Sequence, residues 1–257
     1  MKVIYTRQPV PATAPTSLAL GFFDGVHLGH QEVIAAAKAE AEAKGLVLGV
    51  FTFVGSPRAT KQVMTEAQKH RCLQELGVQA CYQPPFESFR NLRPEEFFQQ
   101  MLLEEYGAAA LACGQNFGFG ARRSGNVALL SRLCAEKGMP LAVLPLLEMG
   151  GAPVSSSRIR AALAAGDVEE AATLLGRPFE IEAPVQHGKA LGGRLGFPTL
   201  NQVFPEEIQP PAFGVYITKA WVDGTWWPAA TGWGTRPTVD GEGATCETFI
   251  PDFVGNL

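Results

Sequence analysis

A chain of 257 residues, 46% hydrophobic and 18% charged, has room for one large domain or two ordinary ones, each with its own core. The formal net charge of −4 excludes the broad basic footprint of a general nucleic-acid binder, so any phosphate must be met by local basic groups. No apolar run reaches the length of a membrane span, and residues 1–17 lack the apolar core of a signal peptide, so a cytoplasmic protein working away from membranes is expected. The five cysteines are odd in number and scattered without metal-ligand spacing, which reads as reduced thiols.

Lys2–Tyr5 and Ser17–Phe23 are the first two predicted strands. The second runs into the stretch LALGFFDGVHLGHQ (18–31), which reads as a strand, a tight turn and a helix N-terminus. Such a junction gathers unpaired backbone N–H groups at the positive end of a helix dipole, and Gly25 and Gly29 carry no side chain to keep a phosphate away. If the helix starts at or before His27, then His27 and His30 share one face and can flank one phosphate. The pair would also serve as half of a zinc site, but His70 and His187 lie in unremarkable surroundings and there is no CxxC pair. Ordinary capping or surface roles are the remaining alternative.

Gln31–Lys44, rich in Ala, Glu and Lys, predicts a helix ended by Gly45. Leu46–Phe53 is a nearly continuous apolar run, as in a strand buried on both faces of a parallel sheet. Helices are expected at Thr65–Leu76, Arg93–Tyr106 and Asn126–Lys137, with strands at Ala80–Tyr82, Ala108–Cys113 and Pro140–Leu147. This alternation predicts an α/β fold with ligands at the carboxyl ends of parallel strands.

GQNFGFGARRSGN follows Cys113, with glycines for close backbone approach and Arg122 and Arg123 to meet a phosphate; a flexible loop with solvated arginines is the plainer alternative. VSSSRIR (154–160) offers three hydroxyls, helix amides and the guanidinium groups of Arg158 and Arg160; N-capping explains one serine but not the whole cluster. Ala161–Leu175 predicts one or two helices broken at Gly166, and residues 176–179 read as a linker. From Phe179 onward helical patterns give way to short extended runs (FEIEAPV, GVYITKAWV, WWPAATGW, ATCETFI) separated by glycine and proline, which predicts a small antiparallel β domain. Taken alone, PTLN (198–201) is a turn and Glu247 a solvated strand residue. No Walker A or GxGxxG pattern is present.

The decapeptide GFFDGVHLGH, with its HxGH signature, together with GQNFGFG, VSSSRIR, GKALGGRLGFPTLN, FGVY, GTRPTV and CETFIPDF, resembles the bacterial bifunctional riboflavin kinase and FAD synthetase family. The resemblance implies a Rossmann-like nucleotidylyltransferase domain with a parallel sheet over residues 1–175, then a riboflavin kinase-like antiparallel β-barrel over 176–257. It implies transfer of AMP from ATP to FMN, giving FAD and pyrophosphate, and ATP-dependent phosphorylation of riboflavin, with Mg2+ as cofactor. On that alignment His27 and His30 are catalytic, and Gly21, Phe23, Asp24, Gly29, Ser156, Ser157 and Arg160 bind ATP and its phosphates, with Asp24 supporting the loop or the metal. Asn116 and Arg122 belong to the flavin-side loop. Gly188, Lys189, Thr199 and Asn201 hold the kinase nucleotide, Thr199 also holding Mg2+, and Glu247 is the kinase's catalytic glutamate.

The sequence departs from the family pattern at Asn116, where an acidic residue is common, and at Ser56, where a histidine usually stands. The family continues past DFVGNL, so an incomplete barrel with little or no kinase activity, beside retained FMN adenylylation, is expected. Two rival readings share the motifs. One is a flavin- or nucleotide-binding protein without turnover. The other is a nucleotidylyltransferase for another phosphate acceptor, which leaves residues 179–257 without a purpose. The oligomeric state is not written in the sequence.

Overall fold

The computed structural model describes residues 1–5, 14–55, 61–186, 199–235, 244–251 and 253. In chain order these form β1 (Lys2–Ile4), β2 (Thr16–Leu20), α1 (Leu28–Lys44), β3 (Val47–Phe51), α2 (Glu66–Glu75), β4 (Ala80–Tyr82), α3 (Pro94–Glu96), β5 (Ala108–Gly114), β6 (Gly118–Phe119), β7 (Gly125–Asn126), α4 (Val127–Glu136) and β8 (Leu141–Leu144). The two-residue strands β9 (Glu148–Met149) and β10 (Ala152–Pro153) pair ahead of α5 (Ser156–Ala165) and α6 (Val168–Leu175). The strands β11 (Val185–Gln186), β12 (Thr199–Gln202), β13 (Gly214–Val222), β14 (Thr225–Thr235) and β15 (Ala244–Phe249) follow. Contacts divide the chain into two compact units, one within residues 1–60, 66–156 and 174–176, the other within 61–65, 157–173 and 177–257.

The first unit is built on a six-stranded parallel sheet in the order β1-β4-β3-β2-β5-β8. Its central strand β2 is buried along its whole length, as a strand covered by helices on both faces must be. The chain leaves β2 toward β3 and β4 on one side and returns to β5 on the other. The carboxyl end of β2 is therefore a topological switch point, where doubly wound sheets open the crevice that takes ligands. Helix α1 buries Val33, Ile34, Ala37 and Ala41, and ends at Gly45, whose left-handed φ of 63° lets its N–H reach the Ala41 carbonyl. The core behind the sheet is dominated by Phe51, Tyr82, Phe89, Phe97, Phe98, Tyr106 and Phe119.

Several boundaries differ from the sequence expectation. The second strand stops at Leu20, not Phe23, because the backbone turns into the left-handed region at Phe23 (φ 55°), Gly25 (φ 84°) and Val26 (φ 40°). The last strand of the sheet ends at Leu144, short of Leu147. The helix expected at Arg93–Tyr106 is α-helical only through Glu96 and continues as a π-helix over Phe97–Glu105, burying Phe97, Phe98, Met101 and Leu102. The break at Gly166 is where the sequence places it, at φ 82°.

The second unit carries a five-stranded antiparallel sheet in the order β11-β12-β15-β14-β13. Phe204, Ile208, Trp233 and Cys246 form its core, with Phe179, Ile181 and Tyr216 against them. The Trp233 indole N–H donates to the Pro211 carbonyl at 3.1 Å. A row of hydroxyls, Thr218 to Thr231 (2.8 Å) to Thr248 (2.9 Å), crosses the last three strands of the order. Among the described residues no helix is long and apolar enough to cross a membrane. All five cysteines are free and buried.

Candidate active site

The turn between β2 and α1 is held by contacts that its sequence alone does not announce. The Gly21 N–H donates to the Phe51 carbonyl, and the buried Thr52 hydroxyl donates to the Phe22 carbonyl at 2.9 Å. Phe23, buried at 1% exposure, folds its ring over Gly21, where a Cβ would lie 3.0 Å from the ring. An aromatic residue held at positive φ costs on the order of 1–3 kcal/mol, which persists only where surrounding structure over-determines it. Asp24 is buried beside it at 3% exposure.

Helix α1 starts at Leu28, so His27 is its N-cap and not its first turn. The two imidazoles nevertheless meet, because the His27 side chain turns back over the helix and accepts from the His30 backbone N–H at 3.3 Å through Nδ1. The rings stack with centroids 3.6 Å apart and planes 15° from parallel, and the edge of Phe23 closes on His30 at 5.2 Å. Gly29 leaves room for this, since a Cβ there would come within 3.4 Å of the His27 ring. With Nδ1 of His27 engaged as an acceptor, its donor is Nε2–H. Burial above all, then the neighbouring His27 and the Lys69 ammonium, holds the His30 imidazole well below its ordinary 6.5. His30 Nδ1 is buried with no hydrogen-bond partner among the described residues.

Lys69 is the residue that sequence reasoning passed over. On α2 it looks like one more polar side chain, yet it is 2% exposed. Its Nζ lies 3.1 Å from Glu66 Oε1 and 5.4 Å from the centre of the Phe22 ring. The other Glu66 oxygen accepts from the Gln83 amide, whose own carbonyl lies 2.6 Å from His70 Nε2. His70 is thus part of a partly buried polar network. Burial pushes the nearby Cys81 thiol up to about 12, Lys69 pulling it down and Glu66 adding to the rise, so it is inert as a nucleophile.

The expected flavin-side loop follows β5. Asn116 and Arg122 are exposed, and Arg122 is held at φ 55°. It is Arg123 that braces the loop, donating to the Asn116 carbonyl at 3.1 Å and filling the space beside Gly118. Partly exposed Phe22, Phe53 and Phe86 form an aromatic shelf in this unit, with ring centres 4.9 Å and 5.3 Å apart in sequence.

Helix α5 begins inside the serine cluster. Ser156, its first residue, donates its hydroxyl to the Asp24 carbonyl at 2.8 Å and so fastens the helix start to the histidine-bearing turn. One turn on, Arg160 donates to the Ser157 hydroxyl at 3.2 Å. Arg158, the other guanidinium of the cluster, is ion-paired with Glu170.

In the second unit, Thr199 and Asn201 lie two apart on β12 and so share a face of the sheet, and Asn201 stands directly opposite Glu247 of β15. The Asn201 amide nitrogen donates to the Thr199 carbonyl at 3.2 Å, and the Thr245 hydroxyl reaches Glu247 at 3.4 Å. On its other side Glu247 faces Gly232 of β14, which contributes no side chain. Gly188, Lys189 and Ser56 lie outside the described residues.

A stacked histidine pair at the switch point of a parallel sheet, tied to a serine-bearing helix start, is the architecture of a nucleotide-handling transferase. The comparisons with known proteins narrow the class. A FAD synthetase family model matches residues 10–158 and a riboflavin kinase family model matches residues 175–257. The chain is 35% identical to a bifunctional riboflavin kinase/FMN adenylyltransferase of Pseudomonas fluorescens, over 93% of this chain and 79% of that one. It is 36% identical to the protein of the same name from Bacillus subtilis (strain 168), with the same coverage. A crystal structure titled as a macrolide-efflux protein from Streptococcus pneumoniae superposes with a TM-score of 0.89 at 30% identity, covering 99% of this chain and 85% of that one. The chain belongs to the bifunctional riboflavin kinase/FMN adenylyltransferase family.

Proposed function

We propose that this chain makes FMN and FAD, with residues 1–175 transferring AMP from ATP to FMN and residues 176–257 phosphorylating riboflavin. The observation that carries the first assignment is the stacked pair of His27 and His30 at the carboxyl end of β2. In adenylyl transfer a phosphate oxygen of FMN attacks the α-phosphorus of ATP, the new P–O bond forms, and the bond to pyrophosphate breaks. FMN phosphate is already an anion, so no base is needed; alignment and stabilisation of developing charge supply the rate. His27 donates from Nε2–H. His30, neutral in its buried setting, contributes an imidazole N–H and not a standing positive charge. Ser156, whose hydroxyl is tied to the Asp24 carbonyl of the histidine-bearing turn, is the member of the serine cluster that the first unit brings to the phosphates. The Phe22, Phe53 and Phe86 shelf suits the flat flavin ring.

In the kinase module Glu247 accepts the proton of the ribityl hydroxyl as that oxygen attacks the γ-phosphorus. The Thr199 hydroxyl and Asn201 amide oxygen are hard donors on one face, a set that suits Mg2+, which is bound by few protein ligands plus substrate phosphates. Bound there, Mg2+ would neutralise phosphate charge. The cytoplasm, where ATP is plentiful, is the compartment this reading expects.

The test is direct. Purified protein is incubated with ATP and Mg2+ and either riboflavin or FMN, and the flavins are separated by chromatography. Conversion of FMN to FAD and of riboflavin to FMN is expected. Tight binding of either flavin with no product would overturn the enzymatic reading.

A further inference from the structure

A lysine buried to 2% exposure in a unit of this size needs a reason, because a charge taken out of water costs several kcal/mol unless it is paired and used. Lys69 is paired with Glu66, but the Glu66 side chain is itself 40% exposed, and a surface pair would have served the fold as well. What distinguishes the buried position is its neighbours. The ammonium sits under the Phe22 ring, one residue from Gly21 and Phe23 in the turn that carries the histidines, and it is close enough to act on His30 electrostatically.

We propose that Lys69 is a positioning residue for adenylyl transfer: anchored by Glu66, its ammonium holds Phe22 and the Gly21–Phe23 turn in place and supplies a permanent cation beside the histidine pair. This rests on the assignment of His30 to the reacting phosphates.

Three of the contacts that hold the turn gather at Gly21 and Phe22. Thr52 takes the Phe22 carbonyl, Phe51 takes the Gly21 N–H, and Lys69 takes the face of the Phe22 ring. The Phe22 side chain is met by Lys69 and by Phe53, whose ring centre lies 4.9 Å away. Around His30 the facing groups are His27 from its own helix cap, Phe23 from the turn and Lys69 from α2. Around Lys69 they are Glu66 and, through the Glu66–Gln83 link, His70 and Cys81, with Tyr5 edge-on to His70 at 6.2 Å. With a cation fixed nearby, His30 resists protonation and stays a neutral imidazole in the free site, with a single N–H to donate. A polyphosphate entering the site meets that donor already oriented.

The experiment compares the parent with Lys69→Met, Lys69→Arg and His30→Ala, all as the full chain. FMN adenylylation is measured as kcat and KM for ATP across pH 5.5 to 8.5, the His30 imidazole is titrated by NMR, the amide NMR spectrum of the first unit serves as its folding control, and riboflavin phosphorylation reports on the second unit. Lys69→Met is expected to lower adenylylation kcat by about tenfold or more while KM for ATP moves less than about threefold, the signature of misplacement without lost binding. It should raise the His30 titration toward 6.5 and leave riboflavin phosphorylation unchanged, and Lys69→Arg should restore most of kcat. Parental kcat, or an unmoved His30 titration, in a Lys69→Met protein that keeps the parental amide spectrum overturns the proposal. If Lys69→Met loses that spectrum, Lys69→Arg decides: near-parental kcat and titration support the proposal, and their loss overturns it. Parental adenylylation in His30→Ala would overturn the histidine assignment itself, and the Lys69 proposal with it.

Discussion

The imidazoles of His27 and His30 lie face to face, 3.6 Å between centroids, although one caps the helix and the other belongs to its first turn. Two stacked imidazoles cannot both be charged cheaply, so the pair enters the reaction with one neutral member at least.

Removing His30 therefore removes a preoriented donor. His30→Ala should lower FMN adenylylation by about a hundredfold or more, the scale of losing one charge-stabilising group, with much less effect on FMN affinity. Initial rates of FAD formation and equilibrium FMN binding check the two halves of that statement.

The buried state of His30 also sets an acid limit on stability. Its folded pKa lies well below 6.5, so below pH 6.5 the unfolded chain takes up a proton that the folded chain refuses. Stability from this source is fully present above pH 6.5 and is lost as pH falls toward the folded value, by up to about 1.4 kcal/mol per pH unit. Denaturation midpoints between pH 7.5 and 5.5 should fall less steeply in His30→Ala than in the parent. Parallel slopes would show that His30 titrates normally in the folded chain.

Gly21 is required by the ring folded over it. In Gly21→Ala the new methyl would sit 3.0 Å from the Phe23 ring, which is buried and carried on a left-handed backbone and so cannot retreat freely. A destabilisation of about 1–3 kcal/mol is expected, together with slower adenylylation as the turn shifts. Thermal unfolding and FAD formation measure the two effects.

The two chemistries should separate cleanly. Glu247→Gln keeps the shape of the side chain and deletes its basicity, so riboflavin phosphorylation should fall by about a hundredfold or more while FMN adenylylation is retained. Equal loss of both activities would show that Glu247 acts on stability and not as the base.

The alternation of helices and strands, and with it the parallel sheet, was legible because buried strands such as Val47–Phe51 are continuous apolar runs and α1 has a strong helical composition with a glycine stop. The histidine pair was legible from spacing and glycines, but its geometry was not, since His27 reaches His30 from the cap position through a side-chain bond. The left-handed Phe23 leaves no mark in sequence, because nothing about an aromatic residue announces a positive φ. The π-helix is equally silent, as the apolar pairs Phe97–Phe98 and Met101–Leu102 suit an α-helix too. Lys69 and His70 were hidden for another reason. Gln83, which meets His70 directly and Lys69 only through Glu66, lies outside their helix, and polar side chains on a helix read as solvated until tertiary contacts bury them. The pairing of Asn201 with Glu247 spans two strands far apart in the chain, a register that composition cannot supply.

The row of Thr218, Thr231 and Thr248 holds two hydrogen bonds with three protons to place. Thr231, having one proton, can donate along only one of its bonds, so at least one neighbour always donates to it. Three proton arrangements keep both bonds intact: pointing one way, pointing the other, or both pointing inward. Valine at either end leaves Thr231 free to satisfy the surviving bond from whichever side is needed. Valine in the middle breaks both bonds at once, so the central position governs a cooperative unit in which the end positions are individually replaceable.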